Sequence, residues 1–318
     1  MKFRTELNRD KHRCNVTHTD SILAIGSCFV ENIGAKLSIL KFNIRINPFG
    51  IIFNPYSIAK ILNNGLEKPL KLERECDILE QNGIYKSYDY HSKFNSDSYN
   101  NFIKQVDAET ENSKQQLKNN NYLFLTFGTA WIYRLIDANK VVANCQKIPQ
   151  SNFTKELLDL TDLTEIYVKL IKRLIESNPN LKIVLTVSPV RHLKDGIVEN
   201  NQSKSILLLL CKALSDDFKQ NVIYFPSYEI QMDDLRDYRF YKADLVHPNE
   251  MAIDYIFEQF STSFFNENTM NLNSKITKLN KLENHKFLNA TNIEIVKHNS
   301  KIKQLSTEIE LIINSTNT

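Results

Sequence analysis

The chain has 318 residues, of which 42% are hydrophobic and 24% charged, a composition that excludes wholesale disorder. Its 40 Lys and Arg residues against 37 Asp and Glu residues give a formal net charge of +3, without the large basic excess of nucleic-acid-binding proteins. No stretch approaches about 18 uninterrupted apolar residues, so we expect no membrane span. The five cysteines lack framework spacing and no signal peptide is evident, which predicts a cytoplasmic protein without a disulfide scaffold.

The chain begins with short apolar segments that alternate with helical patterns. Residues 21–25 form an apolar run typical of a buried strand, and apolar residues at helical spacing predict a helix over 29–40. A second strand is predicted over 42–46 and a second helix near 56–62.

The next part of the chain contains an insertion and then resumes the alternation. Residues 65–100 are polar, aromatic and irregular, which indicates a long insertion or lid with a hairpin at Asn82-Gly83. A helix over 99–117 and a strand over 122–127 follow, and a hairpin is predicted over 131–142.

The last alternating elements are two strands between three helices. Helices are predicted over 164–177, 203–218 and 250–265, with strands over 181–187 and 222–225. After residue 265 the sequence is rich in Asn and Lys and has weak helical periodicity.

The order of these elements predicts an α/β fold. Five strands alternating with helices are typical of a mostly parallel sheet covered on both faces. Ligands bind such sheets at the carboxyl ends of the strands. We expect one α/β domain over residues 1–265, and a helical appendage or tail over residues 266–318.

Two motifs at element ends carry chemistry. Ser27 joins a strand to a helix, which places its hydroxyl near a helix N-terminus that stabilises anions. The alternative is that Ser27 only caps the helix. Asp244 precedes His247 by three residues, which allows a carboxylate to hold an imidazole in one tautomer. The alternative is an incidental ion pair in a loop.

Further stretches complete a recognisable pattern. They are Gly26-Ser27-Cys28-Phe29-Val30, Asn47-Pro48-Phe49-Gly50, Phe127-Gly128-Thr129-Ala130-Trp131, Ala143-Asn144-Cys145-Gln146-Lys147, Ser188-Pro189-Val190-Arg191-His192 and Leu235-Arg236-Asp237-Tyr238-Arg239-Phe240-Tyr241. Their order resembles the SGNH (GDSL-like) hydrolase superfamily, and the first stretch resembles the signature of its GSCFA family. The resemblance covers roughly residues 3–265. It implies a flavodoxin-like, three-layer α/β/α sandwich and ester hydrolysis through an acyl-enzyme, although the GSCFA family has no well-defined substrate.

The resemblance implies roles for individual residues. Ser27 matches the nucleophile, and Asp244 and His247 match the paired acid and base. Gly50 matches the residue whose backbone N–H helps to form the oxyanion hole, with the Ser27 N–H as a second donor. Gly128 matches the start of the third sequence block and is a further candidate for the oxyanion hole.

Three positions depart from the superfamily pattern. Ala130 stands where an Asn usually donates to the oxyanion, and Ile25 stands where Gly usually opens the first block; Gln146 stands where we expect His in the GSCFA family. We predict that Asn144 replaces the lost donor, because the hairpin before it starts beside Gly128 and could fold back to the same sheet edge. The alternative is that Asn144 only caps a turn.

Further residues are candidates for substrate binding. His192 and Arg191 follow a predicted strand, where a cation would orient an anionic or sugar substrate; the alternative is a salt-bridged structural loop. His91 lies in an aromatic run suited to sugars or acyl groups, or to a self-packed lid, and Thr129 follows Gly128. Neither zinc spacing nor a phosphate-binding Gly loop is found, so we expect no metal and no cofactor.

Together these inferences predict a serine-dependent esterase. We expect it to cleave a small O-acyl ester, with a carbohydrate as the carrier by analogy with the superfamily. The alternatives are an acyltransferase that uses the same Ser-His-Asp site and a non-catalytic carbohydrate-binding module that keeps the fold. The expected partner is a small-molecule or carbohydrate ester, with no nucleic acid and no membrane, and the sequence sets no oligomeric state.

Overall fold

The structure is a computed structural model that describes residues 5–7, 15–66, 78–287 and 291–315. Its strands are, in chain order, β1 (Ser21–Gly26), β2 (Asn43–Ile46), β3 (Ile78–Gln81), β4 (Ile84–Ser87), β5 (Tyr122–Phe127), β6 (Trp131–Leu135), β7 (Lys140–Val142), β8 (Phe153–Leu157), β9 (Lys182–Val187) and β10 (Val222–Tyr224). Its α-helices are α1 (Cys28–Ile39), α2 (Pro55–Leu66), α3 (Tyr99–Asn119), α4 (Leu160–Ser177), α5 (Ile197–Asp217), α6 (Ser227–Glu229), α7 (Glu250–Phe264), α8 (Glu267–Glu283) and α9 (Asn292–Ser315). Short 3₁₀ turns lie at Ser92–Phe94, Gln150–Asn152, Leu193–Asp195 and Tyr238–Phe240, and a π-helical turn at Ile230–Leu235 follows α6.

The central sheet has five parallel strands in the order β2-β1-β5-β9-β10. This is the flavodoxin-like order, so the predicted sandwich is confirmed. Gly26 pairs with Thr126, and Phe127 pairs with Val187. The segments that follow β1, β5 and β9 therefore leave the sheet side by side at one carboxyl edge.

Each face of the sheet is covered by its own helices. On β1, Leu23 and Ile25 belong to an apolar core shared with α2, α3, α4 and α5. The alternate residues Ile22 and Ala24 belong to a second core shared with α1 and α7. This alternation follows from the period-2 geometry of a strand whose two faces are both buried.

Two small antiparallel sheets lie outside the central one. β3 and β4 form the predicted hairpin, in which Asn82 and Gly83 both have positive φ, of 55° and 74°, as a tight type I′ turn requires. Part of the predicted insertion, residues 67–77, lies outside the described residues. β6 pairs with β7, as predicted, and also with β8. The sequence analysis missed β8 because its Thr, Lys and Glu residues give it no apolar run.

Two helices begin earlier than the apolar pattern predicts. α4 begins at Leu160 because the Asp159 carboxylate caps it, accepting the N–H groups of Thr161 and Asp162 at 2.7 and 3.3 Å. α5 begins at Ile197, and the polar residues at positions 199–202 interrupt the helical period of apolar residues. In both helices the apolar stripe marks the packed part and not the start.

The chain beyond residue 265 forms two packed helices. Leu272, Ile276 and Leu279 of α8 form a small core with Ile309 of α9. The Asn280 amide donates to the Ile39 carbonyl at 3.0 Å, which ties α8 to the end of α1. Within the described ranges, no helix is both long enough and apolar enough to cross a bilayer.

Candidate active site

A glycine that admits no side chain places Ser27 at the end of β1. Gly26 has φ +152°, and a Cβ added to it would lie 2.3 Å from the Thr126 carbonyl oxygen on the neighbouring strand. The Gly26 N–H donates to the Asn47 side-chain oxygen at 2.9 Å. The backbone before Ser27 is thus fixed from β5 on one side and from the end of β2 on the other.

Ser27 itself is the N-cap of α1. Its Oγ accepts the Phe29 N–H at 3.3 Å, and the residue is only 3% exposed. The capping geometry that the sequence analysis left as the alternative is therefore present. Capping does not exclude a catalytic role, because the same position places the hydroxyl at the positive end of the helix dipole.

The loop between the Tyr238–Phe240 turn and α7 carries the second motif. Asp244 Oδ1 accepts the backbone N–H groups of Val246 and His247 at 2.9 and 3.0 Å, and Oδ2 lies 2.8 Å from His247 Nδ1. These backbone N–H groups, together with the imidazole, lower the pKa of Asp244 to about 2. A carboxylate that stays ionised at any physiological pH therefore orients the imidazole, whose side chain is 41% exposed.

This loop packs onto the edge of the sheet where Ser27 lies. The Arg191 N–H donates to the Val246 carbonyl at 3.2 Å, which joins the loop to the segment after β9. The Val246 side chain packs on the same apolar core that Cys28 and Val190 contact. The structure thus brings the Ser27 turn and the Asp244–His247 pair to one edge, although no hydrogen bond joins Ser27 to His247 in the described part of the chain.

Gly50 and Gly128 lie on segments that contact each other. The Gly128 N–H donates to the Phe53 carbonyl at 2.7 Å, so the segment after β5 runs beside the segment that follows Gly50. A Cβ on Gly50 would lie 2.2 Å from the His91 Cβ, and a Cβ on Gly128 would lie 3.4 Å from His192 Nε2. Two of the predicted substrate-binding residues, His91 and His192, therefore pack directly on the two glycines.

The predicted oxyanion donors need correction. The Gly50 N–H donates to the Asn47 carbonyl at 2.8 Å, and the Ser27 N–H donates to the Thr126 carbonyl at 3.1 Å. The Gly50 N–H closes a turn, and the Ser27 N–H makes the last hydrogen bond between β1 and β5. In this conformation neither N–H is free to bind a substrate oxygen. The N–H of Gly128, the further candidate for the oxyanion hole, is likewise bound to the Phe53 carbonyl.

Asn144 lies in the turn that follows β7. Its Oδ1 accepts the Gln146 N–H at 2.8 Å, and its own N–H donates to the Tyr88 carbonyl at 3.0 Å. The turn-capping role named as the alternative is therefore present. Gln146, at the position where His was expected, is buried and donates to the carbonyls of Ser87 and Tyr90 at 2.6 and 2.9 Å, so it is a structural residue.

Thr129 has a packing role in the loop that leaves β5. Its Oγ1 lies 2.9 Å from Ser203 Oγ and accepts the Trp131 N–H at 3.1 Å. Ser203 Oγ in turn accepts the Ala130 N–H at 2.7 Å. The hydroxyls of Thr129 and Ser203 are thus engaged with each other and with the backbone of this loop.

The sequence analysis missed a buried lysine beneath this edge. Lys204 is 1% exposed, and its Nζ donates to the carbonyls of Gly128 and Ser188 at 2.6 and 2.7 Å. Burial lowers the pKa of this ammonium group to about 7. A signal was present, since Lys204 falls on the apolar stripe of α5 that continues through Leu207, Cys211 and Leu214.

A cavity of about 370 Å³ opens beside the same loop, lined by Arg191, Gln231, Met232, Asp233, Arg236, Asp237, Tyr238 and Tyr241. Of these, only Arg191 was predicted from the sequence to bind substrate. Its guanidinium lies 5.6 and 5.4 Å from the ring centroids of Tyr238 and Tyr241. In the described ranges, no group of three or more His, Cys, Asp or Glu side chains is arranged to hold a metal ion.

Comparison with known proteins places the chain in a family. A comparison with curated proteins returns no match. The GSCFA family model matches residues 21–260, from β1 into α7, a span that includes Ser27, Asp244 and His247. The chain therefore belongs to the GSCFA family.

Proposed function

We propose that this protein is a serine-dependent ester hydrolase of the SGNH type. The observation that carries the proposal is the 2.8 Å contact between Asp244 Oδ2 and His247 Nδ1, on a loop packed at the sheet edge where Ser27 ends β1. A nucleophile, a base and a group that orients the base are the components of a catalytic triad. The resemblance of these three positions to the SGNH superfamily supports the same roles.

The proposed reaction proceeds through an acyl-enzyme. Ser27 Oγ attacks the ester carbonyl carbon while its proton passes to His247 Nε2. The tetrahedral intermediate collapses, the C–O bond to the alcohol breaks, and His247 gives its proton to the departing oxygen. Water then attacks the acyl-serine with His247 as base, which releases the carboxylic acid and restores the Ser27 hydroxyl.

Asp244 and the N-terminus of α1 support this charge movement. The ionised Asp244 accepts from Nδ1 and stabilises the imidazolium that forms on His247. The Cys28 N–H is the first of α1, so it has no acceptor within the helix. We assign it as an oxyanion donor, because the N–H of the residue after the nucleophile serves this role in related strand–turn–helix sites. The Asn144 amide remains a second proposed donor.

The proposed substrate is a small O-acyl ester on an alcohol such as a carbohydrate. Hydrolysis and transfer to another acceptor share the acyl-enzyme, so an acyltransferase is the nearest alternative. The proposed location is the cytoplasm, and the free thiols of Cys28, Cys145 and Cys211 fit a reducing compartment.

One observation favours a non-catalytic binding module as a second candidate function. The Ser27 hydroxyl is buried and engaged in helix capping, with no hydrogen bond to His247 in the described structure. Catalysis therefore requires this hydroxyl to turn from the Phe29 N–H toward the imidazole when substrate binds. A site that never makes this change would keep the fold without reacting.

Labelling with a fluorophosphonate, together with hydrolysis of p-nitrophenyl acetate, tests the proposal. We expect wild type to be labelled at Ser27 and to hydrolyse the ester, and Ser27→Ala to do neither. Ser98→Ala is the matched control, because Ser98 also caps a helix, accepting the Asn101 N–H at 3.4 Å. Each change costs about 1 kcal/mol of capping energy. A wild-type protein that is not labelled, or a Ser27→Ala variant with full activity, would overturn the proposal.

A further inference from the structure

The cavity beside the Asp244–His247 loop shares a wall with that loop. Tyr241 lines the cavity and pairs antiparallel with Pro248, the residue after His247. Such a pairing brings two Cα atoms to about 5 Å. The Lys242 N–H also donates to the His247 carbonyl at 2.7 Å, so the cavity wall and the imidazole belong to one hydrogen-bonded unit.

Gln231 lines this cavity, and its buried amide has no hydrogen-bond partner among the described residues. Gln231 is 0% exposed, and neither its Nε2 nor its Oε1 has a hydrogen-bond partner in the described part of the chain. Buried polar side-chain atoms are hydrogen-bonded in the large majority of cases, because an unmade bond is destabilising. Gln231 also lies in the π-helical turn Ile230–Leu235, a feature that occurs often at functional sites. Both observations point to a polar ligand.

Arg191 supplies a cation whose charge no carboxylate of the described residues neutralises. The half-buried Arg191 side chain lies against the rings of Tyr238 and Tyr241, and the described residues offer no carboxylate within ion-pair distance of its guanidinium. The side chain is held in place because the hydroxyls of Tyr238 and Tyr241 accept hydrogen bonds from the guanidinium, whose other N–H groups can serve a ligand. The planar fork of a guanidinium matches the geometry of a carboxylate or a phosphate.

The other charged residues that line the cavity do not remove its preference for an anion. Asp233, Arg236 and Asp237 are all exposed, and Asp237 Oδ1 accepts the Arg239 N–H at 2.8 Å. The positive and negative charges of the lining residues therefore balance. Anion binding must depend on the hydrogen-bond donors of Arg191 and Gln231 and not on an excess of positive charge.

We propose that this cavity binds an oxyanion, a carboxylate or a phosphate monoester, that the substrate of the neighbouring site carries. The donors are the Arg191 guanidinium and the Gln231 amide nitrogen, with the phenol hydroxyls of Tyr238 and Tyr241 beside them. The link to a substrate rests on the proposed esterase function, whereas the binding site itself does not. The substrate class is thereby narrowed to esters that carry a negative charge away from the scissile bond.

Titration with inorganic phosphate and with succinate, followed by NMR of the full-length protein, tests the proposal without turnover. We expect at least one of the two anions to bind wild type, and the tighter of them identifies a phosphate or a carboxylate as the group recognised. Arg191→Gln and Arg191→Lys should each weaken binding about tenfold or more, because lysine keeps the charge but loses the fork. Arg239→Gln is the matched control and should bind as wild type, since Arg239 does not line the cavity.

Two further variants separate binding from folding and from catalysis. Gln231→Met should weaken binding with no decrease in Tm, because the amide it removes makes no hydrogen bond within the described structure. A residue with a merely structural role would lower Tm instead. Ser27→Ala should bind the anion as wild type does, so a failure of the esterase proposal would leave this binding intact.

Three results would overturn the oxyanion site. They are the absence of binding by both anions, Arg191→Gln binding as tightly as wild type, and binding of methyl glucoside in preference to both anions. Hydrolysis of p-nitrophenyl acetate by a protein that binds neither anion would refute the cavity proposal while leaving the esterase proposal standing.

Discussion

The ammonium group of Lys204 lies 2.6 Å from the Gly128 carbonyl oxygen, and the same group reaches the Ser188 carbonyl at 2.7 Å. These carbonyls follow β5 and β9, two neighbouring strands whose carboxyl ends lie at the same sheet edge as Ser27. A single buried side chain of α5 therefore fixes the separation of two segments that leave the sheet. In the described structure no carboxylate lies within ion-pair distance of Lys204, so its charge is stabilised mainly by carbonyl dipoles.

Lys204 should give the protein a pH-dependent stability between about pH 7 and 10.5. Burial lowers its folded-state pKa to about 7 from 10.5. In this window the unfolded chain binds a proton that the folded chain lacks, so the Lys204 contribution to the free energy of unfolding rises with pH. Urea unfolding of wild type and Lys204→Met at pH 7, 8 and 9 measures this contribution as the difference between the two proteins.

The control for this experiment is Lys212→Met on the same helix. Lys212 is 71% exposed and pairs with Asp216, so its removal should leave the pH dependence unchanged. If the free energy of unfolding changes with pH in the same way for wild type and Lys204→Met, Lys204 stays protonated in the folded state across this range.

The fold could be predicted because its signals are local. Apolar runs of 4–8 residues and helical stripes mark β1, β5, β9 and the helices between them, and their alternation determines the layers. Ser27 and the Asp244–His247 pair could be found for the same reason, since each motif lies within a few residues of chain. The roles of Lys204 and Gln231 depend on segments distant in the chain, and the engagement of the Gly50 N–H depends on the shape of its turn. Composition and spacing do not encode these contacts.

Asp244→Asn should lower kcat by about 10²–10⁴ with little effect on KM. The amide can accept the backbone N–H groups of Val246 and His247 as the carboxylate does, so the loop should keep its shape. It cannot stabilise the imidazolium on His247, and it would favour the wrong tautomer. Kinetics on p-nitrophenyl acetate check the loss of kcat, and a Tm measurement on the same variant checks that the loop keeps its structure. An active variant would mean that the Asp244 carboxylate is not needed to support His247.

Cys28 should be inert although it adjoins the proposed nucleophile. Its thiol is half-buried against the core of α1 and α7, and burial, followed by the nearby Glu31 carboxylate, raises its pKa above the usual 9.0. The protonated thiol is a poor nucleophile at neutral pH. We expect iodoacetamide at pH 7.5 to leave esterase activity intact, and Cys28→Ala to retain it. Rapid inactivation by iodoacetamide that substrate prevents would instead identify Cys28 as the reacting group.

Asn47 should position Ser27 through the backbone that precedes it. Asn47 has φ 43°, and its buried side-chain oxygen accepts the Gly26 N–H at 2.9 Å. Asn47→Gly keeps the left-handed backbone and leaves the Gly26 N–H unsatisfied, which should cost about 1–3 kcal/mol. Asn47→Ala adds a left-handed backbone penalty of about 1–2 kcal/mol.

The two Asn47 variants together separate backbone strain at position 47 from the effect of the Asn47 side chain on the position of Ser27. If the Asn47 side chain holds the Ser27 turn, both variants should lower kcat on p-nitrophenyl acetate by a similar factor, because both lose the same hydrogen bond. Their stabilities should differ, with Asn47→Ala the lower in urea unfolding. Asn82→Ala serves as the control, since Asn82 has a similar positive φ of 55° in the β3–β4 turn and should lose stability without losing kcat. Full kcat in Asn47→Gly would show that β5, through the Thr126 carbonyl, is sufficient to position Ser27.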